Sequence, residues 1–496
     1  MESTRSHPVR DFLLVATLAL GVRVLTFQLF PLDWNWDSYH HWQISWLSLN
    51  VGFPLGRLWD LNGCEYYWGI FPHLVEASLL GILNTASIVP FRFLNAGLGS
   101  CNACLVLLIG VRHFGARVGA WSGVLFAVFP VAAIFDILGL QDTIALILLL
   151  SSLYVLDERP FWSGILLALA GQSRTEFFLV STLLVFWVCA AERLPTRRQP
   201  MLIGWLGITG LAVWFTFNQT GNPFYGLYWS LISVFTGGRP TTDSSFLSQM
   251  FNWIFWKLEV WPTKPTGIAI LLATAACFGY FILTMFRRPK NYQIVYLLAT
   301  SVFTAPIFLT YVGSDMRSLL IMLRSIVPIV ALGLPFMVAF TLKLASKGEG
   351  RKAMLILLVI FSLGLPLAYC AYEPFEAEAK TTFAIADKAA TLYYGGTIVC
   401  DYPMMNYRIE DKLDINPRLF IGNHYAPQYL GVVEPMEYAK WLYHNRVMVW
   451  VRYGADAEEV YGALAKASPN ILRFAFEDSG IGIFVVNNQE LSRVLS

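Results

Sequence analysis

Apolar stretches of about 20 residues follow one another through most of this chain, and a helix of that length spans the core of a bilayer. Charged residues make up only 14% of the 496 residues, and the mean hydropathy is +0.54. A soluble protein does not need so much apolar sequence to fill its core, so a polytopic, all-α membrane protein is predicted. We place about eleven spans, near 11–31, 89–111, 118–135, 142–156, 161–172, 176–191, 201–218, 266–286, 292–312, 320–342 and 353–371.

The basic residues predict how these spans are oriented. Every second short loop is basic, and by the positive-inside rule such loops face the cytoplasm. They contain Arg5 and Arg10; Arg112 and Arg117; Arg159; Arg193, Arg197 and Arg198; Arg287, Arg288 and Lys290; and Lys343, Lys347, Arg351 and Lys352. For cytoplasmic and external loops to alternate in this way, residues 66–83 must form an external or interfacial helix rather than a full span. His73 and Glu76 favour this placement because ionisable groups are costly at the bilayer centre. The net charge of +2 is scattered rather than gathered in a stripe, so nucleic-acid binding is not expected.

The first outer loop, residues 33–73, is predicted to hold the functional site. It carries carboxylates and histidines among six tryptophans, a mixture suited to a membrane surface, where rings lie at headgroup depth and carboxylates stay hydrated. Tyr39, Trp42, Trp46 and Leu49 follow helical spacing, which predicts a helix lying on the membrane with Asp37 near its start. A carboxylate there also serves as an ordinary helix cap, and the two roles are compatible.

The C-terminal part of the chain has a different pattern. From residue 373, strand-like segments at 396–402, 446–452 and 474–486 alternate with helical segments at 378–394 and 455–467, with a turn at Ser479-Gly480. This pattern predicts a small extracytoplasmic α/β domain, 373–496, after a transmembrane domain, 1–372. Cys64 and Cys400 both fall outside the bilayer in this topology, and the sequence leaves open whether they pair.

The layout of the first half resembles the GT-C superfamily of glycosyltransferases that use polyprenyl-phosphate sugars. The closest similarity is to the branch of protein O-mannosyltransferases and aminoarabinose transferases. The matching features are Asp37 in the first loop, Arg92 opening the second span, the basic turn Arg112-His-Phe-Gly115 and the helix end Val128-Phe-Pro130. The chain departs from that branch at Asp37-Ser38, where Asp-Glu is usual, and at Arg174-Thr-Glu176, where a lysine is common. The Asp-Ser-Tyr-His string is also similar to the catalytic subunits of oligosaccharyltransferases, which depend on a metal.

The resemblance implies an inverting transfer on the extracytoplasmic side, in which an acceptor hydroxyl attacks the anomeric carbon while the lipid phosphate leaves. A mannose-like hexose is the favoured sugar, and the acceptor is a glycan, a protein or a lipid. Asp37 is the candidate general base, with Asp33 as its possible substitute. The phosphate is expected to meet arginines on other outer turns. The candidates for binding substrate are Arg174, Glu176, Arg317, Arg324 and Asp142.

Arg324 is the most informative of these arginines because it lies inside an apolar run, where a charged group needs a partner. An ion pair with Asp315 or Asp142 is the purely structural alternative for it. His40 and His41 are expected to hydrogen-bond the acceptor or the backbone, and His73 is a further candidate for binding substrate. A divalent metal remains possible but is not favoured, because hard cations prefer oxygen ligands and the spacing matches no defined loop, so no required cofactor is predicted.

Other interpretations of the whole chain stay open. A lipid-linked-sugar transporter or flippase would show broken spans in paired halves, and no second half mirrors the charged outer loop. A structural subunit that docks a partner through the aromatic loop is another alternative. The host membrane is the plasma membrane of a prokaryote or the endoplasmic reticulum of a eukaryote, and membrane lipids surround the protein in either.

Overall fold

The structure is a computed structural model that describes residues 8–191, 195–229, 303, 316–345, 372–400, 402–422, 435–453 and 470–495. These residues are mostly helical, with one small sheet. The chain divides into two compact units, which are treated separately below. Unit 1 comprises residues 1–31, 66–72 and 92–372, and unit 2 comprises residues 32–65, 73–91 and 373–496. The division predicted at residue 372 had kept residues 32–65 and 73–91 with the membrane helices.

The helices that lie mainly in unit 1 are numbered in chain order. They are α1 (Pro8–Leu29), α4 (Val89–Phe114), α5 (Ala116–Ala127), α6 (Pro130–Phe135), α7 (Asp142–Val155), α8 (Pro160–Gly171), α9 (Thr175–Ala191), α10 (Pro195–Thr220) and α11 (Met316–Ala345). Four segments are long and apolar enough to cross a membrane by length and composition: Val9–Leu29, Val89–Phe114, Gln199–Thr220 and Leu323–Lys343. The protein is an integral membrane protein, and the count of eleven spans stays a prediction.

Most predicted spans within the described residues coincide with helices, and one does not. The span expected at 118–135 ends at Ala127, and a separate short helix starts at Pro130. Proline has no backbone N–H and restricts the residue before it to extended conformations, as Phe129 shows with ψ 111°. A continuous apolar stretch therefore becomes two helices. The spans predicted at 266–286, 292–312 and 353–371 lie outside the described residues.

Small residues bring the helices of unit 1 close together. A Cβ on Gly164 of α8 would lie 2.1 Å from the carbonyl oxygen of Met201 in α10, and a Cβ on Gly204 would lie 2.3 Å from that of Phe161. Such contacts let backbones touch where lipid provides no hydrophobic force to associate helices. They fix α8 against α10, and thereby the turn at residues 172–174 that follows α8.

Unit 2 contains the first loop. Its main helices are α2 (Trp36–Leu47) and α3 (Ile70–Leu83), the first turn of which belongs to unit 1. Asn35 caps α2 by accepting the backbone N–H of Asp37 at 2.9 Å. Residues 38–47 are all buried, so α2 is packed by protein on every side instead of lying on the membrane as predicted. Its aromatic face contacts Phe383, Tyr407 and Phe420 of the C-terminal segment.

The C-terminal segment of unit 2 is an α/β structure. A helix, α12, covers residues 372–391 and is followed by α13 (Pro403–Leu413), α14 (Pro435–His444) and α15 (Asn488–Leu495). The strands are β1 (Thr397–Val399), β2 (Phe420–Ile421), β3 (Val447–Tyr453), β4 (Leu472–Asp478) and β5 (Ile481–Val486), in the order β2-β1-β3-β5-β4.

The sheet is mixed. β1 pairs in parallel with β2 and β3, whereas β5 pairs antiparallel with β3 and β4. The turn predicted at Ser479-Gly480 joins β4 to β5, and both residues have positive φ, as tight hairpin turns require. The helix predicted at 455–467 lies outside the described residues. Cys64 and Cys400 are both free thiols.

Candidate active site

An ion-pair cluster in unit 1 joins four of the residues singled out in the sequence. The carboxylate of Asp142, at the start of α7, accepts hydrogen bonds from Arg174 Nη1 at 2.7 Å and from Arg324 Nη2 at 2.8 Å. Glu176, in the first turn of α9, binds the other edge of Arg174 through both carboxylate oxygens, at 2.8 and 3.1 Å. Three segments far apart in sequence therefore converge on one acidic group between two guanidinium groups.

The local structure explains these positions. Asp142 and Glu176 each lie in the first turn of a helix, where the helix dipole favours a negative charge. Arg324 lies in the apolar helix α11 with its side chain only 6% exposed, and it finds the partner that an arginine in such a helix needs. Of the two partners considered from the sequence, the described residues pair it with Asp142. The side chain of Arg317 is outside the description, although its backbone is helical.

A second buried ion pair lies next to this cluster. Arg23 of α1 donates to Asp136 Oδ2 at 2.7 Å and to the carbonyl oxygen of Ala127 at 3.0 Å. Asp136 also accepts the hydroxyl of Thr143, which follows Asp142 in the chain. Asp136 and Asp142 line one cavity of about 10 Å³ together with Thr143 and Arg324. This volume is of the order of one water site.

The sequence reasoning did not identify the Arg23–Asp136 pair. The available signal was an arginine near the middle of the first apolar span, which calls for a buried partner. Arg92, identified through the family resemblance, is also buried, and it donates to the carbonyl oxygens of Pro31 at 2.6 Å and Ile137 at 2.8 Å. Its contacts fix the end of α1 and the segment after α6.

In unit 2 the two candidate bases occupy different environments. Asp33 is 1% exposed, and its carboxylate accepts the backbone N–H of Asn35 at 3.0 Å. Asp37 is half-buried in the first turn of α2. Asn35 caps the helix, and the first-turn position of Asp37 also suits the helix dipole; of the two carboxylates Asp37 is the more accessible.

The three histidines of the first loop are buried against protein groups. His40 Nε2 lies 3.0 Å from Asp60 Oδ2, and Asp60 also accepts the side-chain amide of Gln43 at 2.7 Å. Burial opposes the charge on Asp60, but the His40 charge and these hydrogen bonds outweigh it and lower its pKa. His41 Nδ1 lies 3.2 Å from His73 Nε2. The three histidines therefore lie in two separate contacts, His40 with Asp60 and His41 with His73.

Neither pair is arranged as a metal centre. Within the ranges that the structure describes, no three histidine, cysteine, aspartate or glutamate side chains are placed to hold a metal ion. Divalent metals in proteins usually take more ligands than the two groups that meet in either contact.

Comparison with solved structures identifies the architecture. The chain superposes on ArnT from Cupriavidus metallidurans in the apo state with a TM-score of 0.53 and 13% sequence identity, over 98% of this chain and 99% of that chain. The chain has the GT-C fold. No family model and no curated protein matches it by sequence.

Two further structures with the GT-C fold contain lipid phosphates. ArnT bound to undecaprenyl phosphate matches with a TM-score of 0.50 and 12% identity, over 95% of this chain and 97% of that chain. The oligosaccharyltransferase AglB from Archaeoglobus fulgidus, in complex with an inhibitory peptide and a dolichol-phosphate, also has a TM-score of 0.50 and 12% identity. That match covers 97% of this chain and 74% of AglB.

Proposed function

We propose that the protein is an integral-membrane inverting glycosyltransferase. It moves a sugar, with a mannose-like hexose favoured, from a polyprenyl-phosphate donor to a hydroxyl group of a glycan, protein or lipid acceptor. The reaction takes place on the extracytoplasmic or lumenal side of the plasma membrane or the endoplasmic reticulum. Its GT-C fold, shared with ArnT solved with undecaprenyl phosphate and AglB solved with dolichol-phosphate, supports this class of donor.

The observation that carries the proposal is the convergence of Arg174 and Arg324 on one carboxylate. The oxygens of Asp142 mark positions where an anion accepts hydrogen bonds from two guanidinium groups at once. Phosphate oxygens are good acceptors for the same donors. A lipid phosphate that takes over these hydrogen bonds has its leaving charge stabilised by groups already in place.

Asp37 is the proposed general base. An acceptor hydroxyl attacks the anomeric carbon as its proton passes to a carboxylate, the bond from the anomeric carbon to the phosphate oxygen breaks, and the phosphate keeps the electron pair. Base catalysis of this kind contributes about 10²–10⁴-fold. Asp33, His40, His41 and His73 remain proposals as substrate contacts, and each already has a hydrogen bond within unit 2.

The test is transfer of radiolabelled mannose from polyprenyl-phosphate-mannose by the full-length protein in nanodiscs, with and without a chelator. Asp37→Asn is expected to abolish turnover while donor binding survives, and Asp157→Asn, which alters an exposed carboxylate, is the matched control. Full activity in Asp37→Asn would remove the base assignment. Donor binding without turnover in every protein, wild type included, would favour a transporter.

A second candidate is a metal-dependent enzyme that glycosylates peptides. The match to AglB, solved with an inhibitory peptide, favours it, and the same protein solved with zinc and sulfate matches this chain with a TM-score of 0.50 and 14% identity. Chelator inhibition together with transfer to an asparagine side chain would select this candidate. Transfer to a hydroxyl that resists the chelator would exclude it.

A further inference from the structure

A larger cavity in unit 1 has no role in the reaction described so far. Its volume is about 70 Å³, several times the roughly 10–15 Å³ that a water molecule needs. It lies between residues 67–69, the α8–α9 turn, the C-terminal half of α10 and residues 223–227. We call it the aromatic cavity.

The lining of the aromatic cavity mixes flat rings with polar groups. Tyr67, Trp68 and Phe224 supply rings, and Gln172, Thr175 and Thr216 supply an amide and two hydroxyls. Within the described part of the chain, the side-chain amide of Gln172 has no hydrogen-bond partner. Aliphatic side chains, among them Val213 and Leu227, complete the lining. Sugars present C–H faces that suit aromatic rings and hydroxyl groups that suit amides, so this mixed lining fits a pyranose.

The wall of the cavity is held in place by tight backbone contacts. A Cβ on Gly69 would lie 1.6 Å from the carbonyl oxygen of Gln172, and a Cβ on Gly226 would lie 3.0 Å from the carbonyl oxygens of Tyr66 and Tyr67. Residues 66–69 are therefore packed against both the α8–α9 turn and residues 223–227. A preformed wall lowers the ordering cost that a ligand meets on binding.

The cavity is adjacent in sequence to the ion-pair cluster. Gln172 and Thr175 line it, and Arg174, between them, binds Asp142 and Glu176. The backbone segment that positions Arg174 therefore also positions two residues of the cavity wall.

We propose that the aromatic cavity is a pyranose-binding subsite, in which Trp68 packs on the sugar ring and Gln172 binds its hydroxyl groups. The proposal rests on the glycosyltransferase function and extends it by giving the sugar its own contacts. Either the donor sugar or a sugar of a glycan acceptor has the required chemistry. The two sources are separated by experiment.

The experiment measures binding, without turnover, by equilibrium dialysis of radiolabelled probes against full-length protein in nanodiscs free of glycosidic detergent. The probes are polyprenyl phosphate, polyprenyl-phosphate-mannose of the same chain length, and methyl α-mannopyranoside. Gln172→Ala is expected to weaken binding of a sugar-bearing probe about tenfold, as loss of a hydrogen bond does, with bare polyprenyl phosphate within about twofold. Thr216→Val and Trp68→Ala are companion variants, and Trp162→Ala, at an exposed tryptophan of the same helix α8 as Gly171, is the control.

The pattern of losses identifies the sugar. A loss confined to polyprenyl-phosphate-mannose assigns the subsite to the donor, and a loss confined to methyl α-mannopyranoside assigns it to an acceptor glycan. Unchanged binding of both sugar probes in all three variants overturns the proposal, and so does an equal loss for bare polyprenyl phosphate. Because no step requires turnover, absence of transfer activity would count against the proposed function and leave this result standing.

Discussion

Replacing Arg324 by glutamine tests the proposed phosphate site most directly. The change removes one of the two guanidinium groups that meet at Asp142. A hydrogen bond to a charged group contributes about 1.5–3 kcal/mol. In the wild type the donor phosphate must replace the Asp142 carboxylate as the partner of Arg324, which reduces the net gain, so we expect about 2 kcal/mol, or roughly a 30-fold weaker donor affinity.

The structure also indicates why this variant should fold. Removing Arg324 leaves the Asp142 carboxylate paired with Arg174 at 2.7 Å, so no buried charge loses every partner. The control is Arg112→Gln, the same change in charge at an arginine that pairs with Asp157 and Glu158 and is predicted to face the cytoplasm. Arg324→Lys keeps the charge but loses the planar donor fork, and we expect an intermediate affinity.

The assay is equilibrium binding of polyprenyl phosphate in nanodiscs at two salt concentrations, with thermal unfolding measured in parallel. Arg324→Gln is expected to bind about 30-fold more weakly, with wild-type unfolding. If its affinity equals that of Arg112→Gln, Arg324 serves structure alone and the phosphate binds elsewhere. A lowered unfolding temperature with normal affinity would lead to the same conclusion.

Three further predictions concern stability, measured by thermal unfolding. Arg23→Leu should lower the free energy of unfolding by about 3–5 kcal/mol because it leaves the Asp136 carboxylate buried without its cation. Combining Arg23→Leu with Asp136→Leu should recover most of that loss. Equal stability of the single and double variants would show that the pair is not coupled. Burial raises the pKa of Glu65 from 4.5 to about 7, so the folded state should lose about 3 kcal/mol of stability as the pH rises from about 4.5 to about 7 and Glu65 becomes charged. Glu65→Gln should flatten this dependence, and an unchanged slope would contradict the assignment. Gly164→Val should destabilise by several kcal/mol, since its Cβ would meet the Met201 carbonyl at 2.1 Å, whereas Gly97→Ala, where a Cβ has open space, should be tolerated.

The sequence pattern predicted those elements whose stabilising interactions lie within one short segment of the chain. Apolar windows predicted α1, α4, α7, α8, α9 and α11 to within a few residues at each end, and α10 at its C-terminal end, because each helix satisfies its own backbone hydrogen bonds. The β4–β5 hairpin was predictable for a similar reason, since Ser479-Gly480 supplies the positive φ angles of a tight turn. The break before Pro130 was missed because hydropathy averages over a window and does not register one absent N–H.

Partners distant in sequence were predicted only in part: the sequence offered Asp142 as one of two partners for Arg324, and it did not pair Arg23 with Asp136. Arg23 and Asp136 are 113 residues apart, and Arg324 and Asp142 are 182 apart. An arginine in an apolar helix predicts that a carboxylate lies beside it, but the identity of that carboxylate depends on how the helices pack. The burial of α2 is a similar case. Its aromatic spacing identified the helix, while the rings that cover it come from residues more than 300 positions later.

The pairing of the arginine cluster bears on how a phosphate could be bound there. Arg174 and Arg324 carry two positive charges, and Asp142 and Glu176 carry two negative charges, so the cluster as a whole is close to neutral. Without the carboxylates, two guanidinium groups in an apolar environment would repel each other and lose their fixed positions. With them, the donors are oriented before any lipid phosphate arrives, and little reorganisation is needed at the moment of reaction. The affinity for the donor is then set by the difference between two anions competing for the same hydrogen-bond donors.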